Sequence, residues 1–480
     1  MNNRFFGIDF GTTTTAFCCF DEDTEGYIMF GNDAGHPYHS VVALDKVTGN
    51  VAFKGTEAWM KKADLVSTGG LTVVSSVKQK LTSEEVWETN NRIWTPEMVA
   101  TEILRTGVEA IRAKWPESKA LIEAVVAVPV DFTYKERKVI SRAATNAGIY
   151  VTQFVSEPTA ALIGCDEDLK EIRNILVFDW GGGTLDVSVL KKVGGKFKEL
   201  AKGTKRDGGD RIDDEFARWV HNGCDTGIPF DMVEPRNKDR LLTRCEQEKR
   251  NLSVEKDVKI VLPNYHKGLT VRGTITRAEF EAMIKGLVDS LIDVMFDTLA
   301  KSGLSAEQID LVLMVGGSSQ IPLVKREIEN IFGSRCSYAQ NAEWCIAKGA
   351  AKLAAQPGSY TLASDVGIIL SDGFFFPVLR SSEPLNHQPV VVTLGLVEDA
   401  REARLVIAEK GSGHDVNASL IGAITLPASG FNFEPIEAVF EVETDLALRV
   451  TAVNDLTESR RAESRTFTGI KFEYLLHEED

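Results

Sequence analysis

Hydrophobic positions recur along the 480-residue chain in two spacings, short strand-like runs and longer runs at helical intervals. "FGIDFGTTTTAF" (6–17) is apolar to Phe10, turns at Gly11 and becomes apolar again through Phe20, a pattern that predicts a β-hairpin. The pattern returns in "ILVFDWGGGTLDVSVL" (175–190), where Asp179 ends an apolar strand, three glycines turn the chain, and Leu185, Val187 and Val189 alternate into the next strand. Two copies of strand, aspartate, glycine turn and strand predict a duplicated architecture facing one cleft.

Helical spacing fills the intervals. "TPEMVATEILRTGVEAIRAKW" (95–115) has a Thr cap, Pro in the first turn and Glu97 behind it. "YKERKVISRAATNAG" reads as a helix stopped by Gly148, 237–253 as a charged helix and 276–303 as a long amphipathic one. "IDLVLMVGGSSQIPLVKREIENIF" (309–332) gives strand, glycine–serine turn and helix. Strands alternating with helices predict an α/β fold over residues 1–357. Pro357 and Gly358 then break the pattern, 358–365 reads as a linker, and 366–480 holds short strand-like runs such as "PVVVTLGLV" and "ARLVIAEK", predicting a small all-β domain with no long helix after it.

Composition narrows the function. With 43% hydrophobic and 26% charged residues the chain is globular. A net charge of −16, from 54 Lys+Arg against 70 Asp+Glu, argues against nucleic acid or an anionic membrane as partner, because both are bound by basic residues. The N-terminal residues lack a signal core and no apolar run reaches bilayer length, so a cytoplasmic protein is expected. Seven cysteines without a CxxC pair predict reduced thiols. The seven histidines are scattered, and His36 and His39, which flank Pro37, are expected to be structural or solvent-exposed.

The candidate chemistry lies in three glycine turns, at Gly11, Thr12, Thr13 and Thr14, at Gly181, Gly182, Gly183 and Thr184, and at Gly316, Gly317 and Ser318. Glycine lets backbone approach an anion and hydroxyls supply donors. A lone glycine turn is ordinary punctuation, but Asp9 and Asp179 stand immediately before two of these, where they can hold hydrated Mg²⁺ against a nucleotide phosphate. Neither GxxxxGK[ST] nor a helix-opening GxGxxG is present, which disfavours Walker-type and Rossmann sites.

"GIDFGTTTT", "VFDWGGGTLDVS" and "LVLMVGGSSQIP" resemble the phosphate and adenosine motifs of the actin-like (ribonuclease H-like) ATPases, and more narrowly of the heat-shock 70-kDa (DnaK-type) chaperones. "AVVAVPVDF", "VSEPTAAL", "CEQEKRNLS" and "AKGAAKLAA" follow in that family's order, over about the first three quarters of the chain. The resemblance implies a two-lobed ATPase domain followed by a β-sandwich that binds peptide. It implies Asp9, Glu157 and Asp179 as carboxylates around Mg²⁺ and its waters, and Lys78 as the lysine that orients the attacking water. Thr184 and Asp186 would line the water path. ATP or ADP would also be met by Gly208, Gly209, Glu246, Lys249, Arg250, Ser253, Gln320, Ile321 and Glu343, and Phe375 would lie near the peptide cleft.

Some positions depart from the family. Gln320 replaces an arginine that could stack on adenine. Gln153 stands where the family presents an arginine to its J-domain co-chaperone, which argues against a standard J-domain partner. "AAQPGSYTLASDVG" lacks the acid-flanked leucines of the usual linker. The expected function is an ATP-hydrolysing, chaperone-like protein that binds extended apolar polypeptide. The alternatives are a nucleotide-gated module with one dedicated partner and, below it, a small-molecule kinase of the same superfamily.

Overall fold

The computed structural model describes residues 3–67, 69–116, 121–129, 132–165, 169, 171–193, 196–339, 341–356, 360–381, 383–385, 388–397, 399–411, 418–444, 446–454, 461–470 and 472–475. Residues 357–359, at the centre of the expected linker, lie outside this set.

The first hairpin forms as its pattern predicts, Arg4–Phe10 against Thr14–Asp21 in antiparallel register, with Asp9 opposite Ala16. Its first strand also pairs in parallel with Ile122–Val128, which pairs in parallel with Ile149–Ser156. The second hairpin repeats the scheme. Asn174–Trp180 is antiparallel to Leu185–Val193 and parallel to Leu311–Val315, which is parallel to Cys336–Tyr338. These central strands read as nearly continuous apolar runs because helices cover both faces. In both sheets the acid before the glycine turn sits at the carboxyl end of a strand with a parallel neighbour, the usual edge for ligands in open α/β sheets.

Two short helices fix the sheets to one another. Glu157–Gly164 begins at the capping side chain of Ser156, and Cys345–Ala354 crosses it so closely that a Cβ on Gly349 would lie 1.8 Å from the Ala160 carbonyl oxygen. Small residues are obligatory at that crossing. The shared core behind it joins Val125 and Ala127 of the first sheet to Val177 and Leu313 of the second.

The long helices start and stop where capping chemistry dictates. Thr95 accepts the Met98 N–H ahead of Pro96–Lys114, Thr133 and Glu136 form a capping box ahead of Tyr134–Ala147, and Gly148 ends that helix at φ +100°. Pro235–Leu252 and Arg277–Ser302 match the expected helices within two residues at each end. No helix among the described residues is long and apolar enough to cross a membrane. None of the seven cysteines, all of which lie among the described residues, is joined in a disulfide.

The tail forms two four-stranded sheets. One runs Phe375–Leu379, Ser364–Ile369, Glu402–Gly411, Ser419–Pro427; the other runs Val390–Gly395, Pro435–Val442, Leu448–Asn454, Arg461–Phe467. Inward residues of both, such as Ile407 and Phe440, share one core. The expected boundaries do not coincide with the sheets. Tyr360–Leu362 from the linker and Phe472–Leu475 from the end of the tail both join the second α/β sheet, in the order 196–205, 472–475, 360–362. A strand's local pattern does not encode its pairing partner, so this exchange could not be read from the sequence.

Candidate functional site

The three glycine turns converge on one cleft. It is lined by Asp9, Gly11, Thr12, Thr13, Thr14, Lys78, Glu157, Asp179, Gly181, Gly182, Gly183, Thr184, Asp186, Glu246, Lys249, Arg250, Ser253, Gly316, Gly317, Ser318, Ile321 and Glu343. Of the expected residues, Gly208, Gly209 and Gln320 do not line it. Gly209 sits one layer back, its N–H donating to the Gly181 carbonyl at 3.0 Å, and the Gln320 amide turns aside to the Ser319 hydroxyl at 3.1 Å. Phe375 lies far along the chain in a half-buried position opposite Ile369, between the more exposed Phe374 and Phe376.

Local conformations place the reactive groups. Gly316 has φ +78°, and a Cβ there would lie 2.6 Å from Asp179 Oδ1, so glycine is required beside the carboxylate. Ser76 adopts left-handed φ 55° just before the short helix Val77–Lys80. This turn precedes the residue that points inward, Lys78, buried at 8% exposure. Ser318 donates to the Gly181 carbonyl at 3.0 Å and ties the third turn to the second.

At the floor of the cleft four carboxylates face one cation. Lys78 Nζ lies 2.6 Å from Glu157 Oε1, Thr184 donates to Asp186 at 2.9 Å, and Asp179 and Asp186 are directly opposite in the strand register. Burial, then repulsion from Glu157, pushes the Asp9 carboxyl up to about 7. The same two causes carry Asp186 up to about 6 and raise Asp179 well above its ordinary value. Burial depresses Lys78, but Glu157 and Asp9 outweigh it and hold the ammonium charged. One lysine faces four carboxyl groups, three of which are pushed toward their neutral form.

The opposite wall carries Lys249, 2.8 Å from Asp213 and 3.1 Å from the Gly209 carbonyl. Arg250 reaches Glu343 at 3.1 Å and Glu246 at 3.5 Å. Burial works against the Glu246 carboxylate, yet His39, Lys249 and Arg250 together hold it at about 2.

Sequence reasoning missed Asp210, Asp213, Ala342 and Ile346, which also line the cleft. Asp210 and Asp213 follow Gly208 and Gly209, a glycine pair that marked the spot without marking the acids. Their carboxyls are raised by burial, Asp213 to about 7, and Asp213 Oδ1 is buried with no hydrogen-bond partner. His36 and His39, expected to be structural or solvent-exposed, stand outside the cleft's lining but reach two acids that belong to it: His36 Nδ1 lies 2.8 Å from Glu343 Oε2, and His39 Nε2 lies 3.9 Å from Glu246 Oε1.

These residues fit a hydrated divalent cation carrying a phosphate. Buried carboxylates with raised pKa are relieved by a nearby positive charge, and the glycine turns and hydroxyls beside them can take the anion that comes with it. A raised folded-state carboxyl binds protons that the unfolded chain, near 3.9, has already lost. Stability from these groups is therefore full below about pH 4 and falls as pH rises through about 6 to 7. Mg²⁺ with ADP should accordingly raise the melting temperature more at pH 8 than at pH 5.5. Equal shifts at the two pH values in thermal melts would contradict this account.

Sheet topology and cleft together define an α/β protein in which three glycine turns and a group of buried carboxylates meet at one cleft. Residues 62–365, more than half of the chain, match the family model described as Hsp70 protein. The chaperone protein DnaK of Mycoplasma mycoides subsp. mycoides SC is 32% identical over 359 residues, covering 72% of this chain and 58% of that protein. The chain belongs to the Hsp70 family. It spans less than two thirds of the length of that relative.

Proposed function

We propose that this chain is an ATP-dependent, chaperone-like protein that hydrolyses ATP slowly at the cleft and binds extended apolar polypeptide on its β-rich tail. Under this reading residues 1–357 supply most of a duplicated, two-lobed actin-like ATPase domain, joined in its second sheet by Tyr360–Leu362 from the linker 358–365 and by Phe472–Leu475, and 366–480 otherwise form a β-sandwich with Phe375 near the peptide. The observation that carries it is the carboxyl-lined floor around Lys78, set beneath three glycine turns in a chain of this family.

Mg²⁺, held through water by Asp9, Glu157 and Asp179, would neutralise phosphate charge and orient the terminal phosphoryl group. The protein's own groups do the rest. Thr12, Thr13, Gly182, Gly183 and Gly317 hold the phosphates, and Lys249, Arg250, Ser253 and Glu343 meet the nucleoside. Lys78, fixed by Glu157, orients the attacking water and offsets charge on the terminal oxygens. Asp186, braced by Thr184, accepts a hydrogen bond from that water. Positioning and electrostatic stabilisation are the principal contributions to phosphoryl transfer.

The test is steady-state ATP hydrolysis by the full chain, with and without excess extended apolar peptide. Slow hydrolysis accelerated by peptide is the expected result. No hydrolysis would overturn the ATPase reading, and hydrolysis indifferent to peptide would move the assignment to a nucleotide-gated module with one dedicated partner.

A further inference from the structure

We infer, resting on the reading of the cleft as a nucleotide site, that His36 and His39 form part of a belt across its mouth, and that this belt slows nucleotide release as the solution is acidified. The belt begins at the first glycine turn. Ser40 N–H donates to the Thr13 carbonyl at 2.8 Å, the Ser40 hydroxyl donates to the Gly11 carbonyl at 2.9 Å, and His39 stands opposite Thr14 in the strand register. From this anchored segment the imidazoles reach the other wall, His36 to Glu343 at 2.8 Å and His39 toward Glu246 at 3.9 Å. Arg250 joins the two acids at 3.1 and 3.5 Å. A chain of five side chains thus links the wall carrying the first turn to the wall carrying the helix Pro235–Leu252.

His39 is braced from behind. Its ring stacks on Trp59 at 4.1 Å and 14°, and Nδ1 lies 3.3 Å from the Thr56 hydroxyl. Nε2, facing Glu246, is buried without a hydrogen bond. A buried polar atom left short of a carboxylate is an incomplete contact. Protonation of the ring would give it a charge to pair with Glu246.

Charge counting gives the direction. With neutral imidazoles, Glu246 and Glu343 share the single cation Arg250 within the belt. Lys249 also acts on Glu246 but is paired with Asp213, while Asp210 and Lys62 contribute opposite charges nearby. Imidazole is the side chain that ordinarily gains its proton between pH 8 and pH 5. Each proton gained turns a neutral contact to Glu343 or Glu246 into a charge-assisted one. Three members of the belt, Glu246, Arg250 and Glu343, line the cleft itself, so a stiffer belt holds the cleft's walls together around a ligand.

The experiment is stopped-flow release of a fluorescent ADP analogue, with Mg²⁺, from the full chain at pH 6 and pH 8. Against the double variant His36→Gln/His39→Gln, which keeps the pH response of the cleft carboxylates, wild-type release should be about tenfold slower at pH 6, the factor carried by one charge-assisted contact, and close to the variant's at pH 8. The single variant His36→Gln, at a half-exposed side chain, repeats the comparison if the double variant does not fold. A wild-type to variant rate ratio that is the same at both pH values would overturn the proposal. A chain that binds no nucleotide at either pH overturns the reading of the cleft instead.

Discussion

Lys78→Ala should lower steady-state ATP hydrolysis by at least about a hundredfold, the scale on which a single preorganised charge at a transition state acts. Nucleotide affinity should change little, because the glycine turns and the Lys249–Arg250 wall are untouched. The loss follows from the cluster's arithmetic: Lys78 is the cation 2.6 Å from Glu157 and the counter-charge to Asp9, Asp179 and Asp186. Its removal leaves buried carboxylates uncompensated, so the nucleotide-free variant should also lose about 3–5 kcal/mol of stability, the cost of a broken buried pair, and melt at a lower temperature. Turnover measured beside equilibrium ADP binding separates the two effects. Unchanged turnover would remove Lys78 from the mechanism.

The second large effect has the opposite sign on stability. Asp179→Asn removes one negative charge from a place where burial and Glu157, Asp186 and Asp9 all oppose it. Without ligand the variant should therefore melt above the wild type. With Mg²⁺ and ADP the order should reverse, because the wild type gains a cation that the variant holds poorly, and ATP hydrolysis should fall to background. Parallel melts with and without Mg²⁺–ADP provide the check. A variant still stabilised by Mg²⁺–ADP as strongly as the wild type would show that Asp179 is not needed to hold the ion.

Much of this was legible because its signals are local. Asp9 before Gly11 and Asp179 before the three glycines mark an acid, a turn and a strand within a dozen residues, and caps such as Thr95 or Gly148 act within one helical turn. The illegible parts are long-range. His36 meets Glu343 across 307 positions, and the intervening sequence carries no periodicity that would pair them. Gln320 illustrates a partial reading. Its motif led to a turn that lines the cleft, but its own side-chain amide bonds to the Ser319 hydroxyl and does not line the cleft. Asp213 was hidden because an acid on a helix reads as surface, whereas the close packing around Gly209 draws this one under Lys249.

The placement of Phe472–Leu475 between Lys196–Lys205 and Tyr360–Leu362 changes what the tail is mechanically. Its entry and exit strands lie side by side in a sheet it does not otherwise share, so it resembles a closed loop pinned at its base more than a bead on a string. Proteolytic nicking between residues 356 and 360 would sever the chain without freeing the tail, because the 472–475 strand still holds both Lys196 and Phe197 and the 360–362 strand through ladder hydrogen bonds. A fragment ending at 357 would lose that cover and bare the 196–205 strand as an adhesive edge.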